Sequence, residues 1–219
     1  MSTPNPQPPT PKGYGFDGRW WFLVFGFWGL GDGSSGAQAP PVVLENEHVR
    51  VTRNAALCGS PKTPGCADRV LVALADLNVR TTPNITFLRR GDAIAFDFTK
   101  SYSPPPGEFL EVTIKPDRPP AKLPPVAIAP DKNSIVHDGR DYFVFEEKLE
   151  PGDTRERHSH AERVVIVINR TRLQQWPDGA PMLFRDQIPD DVRFNPPVVH
   201  VVKTVGNLPL RNIVIEFKR

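Results

Sequence analysis

Apolar residues along this chain fall in short runs rich in Val and Ile, broken by Gly, Pro and Asp, and no run keeps a helical period over three turns. Runs of that kind predict β-strands separated by turns. They form two sets in the same order. Residues 45–51 answer 141–145, 67–74 answer 161–168, 91–96 answer 190–194, and 109–115 answer 211–218. Between the sets, residues 116–130 are dense in proline. Proline cannot serve a central strand or a helix interior, so this stretch reads as an extended linker along the surface. The pattern predicts an all-β protein of two small rolled or closed sheets in tandem, over 40–115 and 131–219, joined by 116–130 and preceded by a leader over 1–39.

Composition supports strands and turns. The 219 residues include 26 prolines and 16 glycines. The net charge of +2 comes from basic residues scattered among acids, which argues against nucleic acid as a partner.

The leader has its own pattern. Residues 1–18 are rich in Pro, Gly and Thr and read as disordered. Then comes Trp20-Trp-Phe-Leu-Val-Phe-Gly-Phe-Trp-Gly-Leu30, preceded by Lys12 and Arg19 and followed by small and polar residues over 31–39. A basic flank, a short apolar core and a small-residue exit are the parts of a secretory signal peptide, with cleavage before Gln38 or after Ala39. The run is too short to span a bilayer. Export, to a periplasm or outside the cell, with no stable membrane span after processing, is the expectation. The competing readings are an uncleaved membrane tether and an aromatic segment packed on the barrel. Cys58 and Cys66 bracket a loop of turn residues, and in an oxidising compartment they would close it as a disulfide; a two-cysteine metal clip lacks nearby partners.

Candidate chemistry concentrates in Gly152-Asp-Thr-Arg-Glu-Arg-His158-Ser-His160. On a strand, alternate side chains share a face, so His158 and His160 point the same way, ~7 Å apart at Cα. His200 lies at the end of another apolar stretch and can complete a set of three. The plain alternative is a solvated histidine pair on an edge strand. The repeat favours a site: aligning Asp68-Arg-Val with Glu162-Arg-Val puts Pro64 and Cys66 opposite His158 and His160. Alternation would also put Glu162 on the histidine face, as a fourth ligand or a hydrogen-bond partner, although Asp68 holds the same place in a half without these histidines. Arg155, Arg157 and Arg163 flank the histidines as candidates to bind an anionic ligand, or as solvated charges. His48 and His137 read as ordinary surface or strand-edge residues.

With these residues in place, the chain resembles the cupins, and more specifically a bicupin. The spacing of Gly152, His158 and His160 matches the first cupin motif, and Asp191, Pro196 and His200 occupy the region of the second. The family's motif glutamate is absent, with Val164 and Val165 standing there, and Thr204 replaces the usual asparagine. The resemblance implies two double-stranded β-helix barrels of jelly-roll type, the first degenerate and the second metal-binding. It implies a divalent transition metal on His158, His160 and His200. Imidazole suits Fe, Mn, Ni, Cu or Zn, and three ligands leave positions open for water, oxygen or substrate. The expected activity is oxygenase-like chemistry on a small organic substrate; the alternative is a non-catalytic bicupin that binds a small ligand or metal. A homodimer is compatible with either.

Overall fold

The computed structural model describes residues 41–55, 68–81 and 83–218. The aromatic leader and the Cys58–Cys66 loop lie outside them, and with them the signal-peptide and disulfide expectations. Every regular element among the described residues is a strand, and no helix there is long and apolar enough to cross a membrane.

The first half contributes β1 (Val42–Glu45), β2 (Val49–Arg53), β3 (Arg69–Ala73), β4 (Leu77–Thr81), β5 (Asn84–Leu88), β6 (Ala93–Phe96) and β7 (Phe109–Ile114). The second contributes β8 (Asn133–Asp138), β9 (Tyr142–Leu149), β10 (Thr154–His160), β11 (Arg163–Val167), β12 (Thr171–Pro177), β13 (Leu183–Gln187), β14 (Val192–Asn195), β15 (Val198–Thr204) and β16 (Leu210–Phe217). One five-stranded sheet runs β1-β2-β7-β3-β6 and another runs β8-β9-β16-β11-β14. The repeat seen in the sequence is thus a repeat of sheet order, and the register repeats with it. Arg69 faces Thr113 across β3 and β7, and Arg163 faces Glu216 across β11 and β16. The turns before β6 and β14 match too. Gly91 (φ 86°) and Asp190 (φ 67°) both adopt the left-handed conformation, for which glycine is the usual residue and Asp a tolerated one.

The halves differ in their second sheets. The second half closes over its five-stranded sheet with β10-β15-β12-β13. In the first half the described residues provide the hairpin β4–β5 and a single bridge, Arg80 to Ser103, at that place.

Burial explains why β3 and β11 are buried along their whole length. One face of each five-stranded sheet contributes to a shared core that joins Val49, Val51, Val70, Val72 and Val112 to Val144, Val164, Ile166, Ile213 and Ile215. The opposite face turns into its own half. In the first half that interior is filled by Leu71, Phe96, Tyr102 and Phe109. The proline-rich linker forms no strand, as expected, but it is more than a surface connection. Val126 is buried among Phe143, Phe145, Val165 and Val214.

Candidate metal centre

The site is assembled by strand pairing. β10 and β15 are antiparallel, with His158 opposite His200 and His160 opposite Val198. The third histidine therefore arrives beside the other two as a cross-strand neighbour. One ligand-capable atom from each of His158, His160 and His200 lies within 4.8 Å of the others. Among the described residues this trio is the one set of three or more histidines, cysteines and carboxylates in which ligand atoms converge this closely.

Each ring is oriented from outside. His158 Nδ1 lies 2.7 Å from the Glu156 carbonyl oxygen, and His160 Nδ1 lies 2.8 Å from Glu216 Oε2. A carbonyl and a carboxylate accept, so each Nδ1 carries the proton and each Nε2 keeps its lone pair. Those two Nε2 atoms are 3.1 Å apart. Two bare lone pairs at that distance repel unless a cation sits against both. His200 Nε2 is buried with no hydrogen-bond partner. The donor set therefore fits a transition metal, and the hydrogen bond from His160 to Glu216 is of the kind that fixes the tautomer of a ligating histidine.

Charge agrees with this. Burial pushes His158 down to about 4 and His200 down to about 2, and it holds His160 well below the ordinary imidazole value. At neutral pH all three are the neutral ring that ligates metal. Burial pushes the Glu216 carboxyl the other way, up to about 7, against the pull of the Ala161 and Val126 amides and of Arg163. Ala161 N–H (2.8 Å) and Val126 N–H (2.7 Å) both donate to its Oε1.

Other expected residues fall elsewhere. Glu162 is buried, but its Oε2 accepts the Lys122 N–H at 3.0 Å and it is not among the converging ligand atoms. Alternation does not carry past His160, because β10 ends there and β11 belongs to the other sheet. Arg155 is turned inward by a register shift between Arg155 and His158, and is held by Glu147 (3.3 Å) and the Ala127 carbonyl (3.2 Å). Arg157 is exposed and paired with Asp178. Of the three flanking arginines, only Arg163 lines the cavity beside the histidines. Glu216 was not among the candidates. Its signal is a lone acid in Ile213-Val-Ile-Glu216-Phe217, where the first half has Thr113.

The interior beside the histidines holds a cavity of about 40 Å³. Its wall includes His160, His200, Arg163, Arg185, Arg193 and Glu147. The corresponding interior of the first half is filled by Leu71, Phe96, Tyr102 and Phe109, with the buried Arg69 and Glu111 beside Tyr102.

No protein-family model matches the chain, and no curated protein matches it. Solved structures do. A Cupin 2 conserved barrel domain protein from Leptotrichia buccalis superposes at TM-score 0.51 with 9% identity, covering 81% of this chain and 87% of that one. An oxalate decarboxylase superposes at TM-score 0.50 with 14% identity, covering 82% of this chain and 75% of that one. Both alignments extend across more than one half of the chain, so the likeness is to the paired arrangement as well as to a single barrel. The fold of this chain is that of the cupin superfamily, in a bicupin-like form.

Proposed function

We propose that this is a metal-dependent bicupin in which His158, His160 and His200 hold one divalent transition metal, and that it carries out oxygenase-like chemistry on a small organic substrate. The observation that carries the reading is the pair of Nε2 atoms 3.1 Å apart, each on a ring whose Nδ1 is already committed to an acceptor. Such a metal would supply Lewis acidity and open coordination positions for substrate and dioxygen. The chain's own residues do the rest. Glu216 holds the His160 ring in its ligating tautomer, and the Glu156 carbonyl does the same for His158. The shared core and the strap at Val126 keep these supports rigid.

Elemental analysis of protein purified without a histidine tag tests the metal. About one equivalent of a transition metal is expected, with loss in His158→Ala and His200→Ala. Stoichiometric iron with oxygen uptake would support oxygenase-like chemistry. Metal-free protein whose melting temperature is unmoved by added Fe, Mn, Ni, Cu or Zn would sink the proposal.

One observation favours a second reading, a non-catalytic protein that binds metal or ligand. The carboxylate on the cavity wall, Glu147, is tied to Arg155 at 3.3 Å and is poorly placed to move a proton. A metal-loaded protein with no oxygen uptake across a panel of small acids and phenols would select it. Export stays part of the proposal on the strength of the leader sequence. N-terminal sequencing of protein recovered outside the cytoplasm should begin near Gln38, and an intact leader on cytoplasmic protein would overturn it.

A further inference from the structure

Beside the metal centre the barrel interior carries more positive charge than it neutralises. Arg163 on β11, Arg185 on β13 and Arg193 on β14 line the one cavity. Arg163 is 6% exposed, and its guanidinium donates to the Ala161 (3.2 Å) and Pro196 (3.1 Å) carbonyls. Arg185 donates to Asn195 Oδ1 at 3.5 Å. Neither Arg163 nor Arg185 has a carboxylate within 4.0 Å among the described residues. Arg193 pairs with Asp191 through Nε at 2.6 Å, while its Nη1 is buried without a partner. Glu147, the carboxylate on this wall, is balanced by Arg155. Arg163 is buried and Arg185 and Arg193 are half-buried, so their mutual repulsion is only partly screened, and their planar forks match an oxyanion.

We propose that this cavity is an anion subsite that takes the carboxylate group of a small organic acid, gripped by Arg163, Arg185 and Arg193. The proposal rests on the reading of this half as a ligand-binding metal centre and names the class of ligand. Size favours the carboxylate, because the cavity is small, about 40 Å³, and a planar carboxylate is a smaller oxyanion than a tetrahedral phosphate. His160 and His200 share the wall, so the organic part of the acid lies against the histidines. Arg155 and Arg157, the other arginines near the motif, take no part, because neither lies on this cavity's wall.

The test is calorimetric titration of metal-stripped full-length protein, kept in chelator, with acetate, propionate, inorganic phosphate and the uncharged acetamide, at matched ionic strength. Saturable binding of acetate and propionate is expected, weaker binding of phosphate and none of acetamide. Arg185→Gln should lose at least tenfold in acetate affinity while keeping its far-UV and near-UV circular dichroism. If that variant fails to fold, Arg193→Gln reads the same loss. Three results would each overturn the proposal: affinity unchanged in a folded arginine variant, phosphate bound more tightly than acetate, or no saturable binding of either acid without metal. Because the titration uses metal-free protein, a failure of the metal proposal appears separately, in the elemental analysis.

Discussion

His160 Nδ1 lies 2.8 Å from Glu216 Oε2, across 56 residues of sequence and between two sheets. The carboxylate's other oxygen takes the Val126 amide of the proline-rich strap and the Ala161 amide at the sheet crossing. One buried acid therefore orients a ring of the histidine trio, ties down the linker and satisfies the chain where it passes from one sheet to the other. Its counterpart in the first half is Thr113, where no such histidine needs support.

Glu216→Gln should weaken metal binding by about 10–100-fold with the fold retained. The amide oxygen can still accept from Ala161 and Val126. Its NH₂ then faces His160 Nδ1, which must accept, and the ring proton moves to Nε2, where it blocks ligation. Competition against a chromogenic chelator measures the loss. Wild-type affinity in this variant would show that the contact is only structural.

The pH dependence follows from burial. Metal binding releases protons from a site whose imidazoles are charged beforehand. Here His158 sits at about 4 and His200 at about 2 in the metal-free fold. Calorimetry in buffers of different ionisation enthalpy should find little proton release from the histidines between pH 7 and pH 5, with affinity falling on further acidification. The folded values lie below the unfolded value of 6.5, so the histidines' contribution to stability is present above pH 6.5 and is lost as pH falls toward 4. Glu216, raised to about 7, acts in the opposite sense. Its proton favours the fold below 4.5, and that benefit is lost as pH rises through 7. Three imidazoles outweigh one carboxyl, so the metal-free melting temperature should fall on acidification below pH 6.5, and Glu216→Gln should steepen that fall.

Arg155 and Arg157 are two residues apart and should behave differently. Arg155→Ala leaves the half-buried Glu147 beside the cavity without its partner and should cost about 1–3 kcal/mol in urea denaturation. Arg157→Ala removes an exposed contact with Asp178 and should leave the denaturation midpoint and acetate binding unchanged.

Ile166→Ala tests whether the halves share stability. Ile166 is fully buried in the core that joins both five-stranded sheets. The substitution should cost about 2–5 kcal/mol in one cooperative transition. Amide exchange should quicken together in β3 and β11. Faster exchange in β11 alone would mean that the halves unfold independently.

The sequence was most legible where local pattern decides. Val- and Ile-rich runs between turn residues determine strands, and their repeated order determines two like sheets. The His158–His160 spacing on one strand face survives in the structure because nothing interrupts β10 between them. Glu162 was misleading for the opposite reason. Two residues at the sheet crossing end the alternation, and its carboxylate turns to the Lys122 amide.

By itself, then, the sequence determined the strands, their repeated order and the His158–His160 pair, because each depends on neighbours a few residues away; His200 joins that pair only through the pairing of β15 with β10. Only the tertiary structure decided what surrounds those imidazoles. The register of β16 against β11 brings Glu216 to His160, and the closure of one sheet over the other gathers Arg163, Arg185 and Arg193 from three strands into one cavity. A single strand does not specify its partner across a sheet, so these long-range juxtapositions, and the charge excess they bury, exist only once the barrel closes.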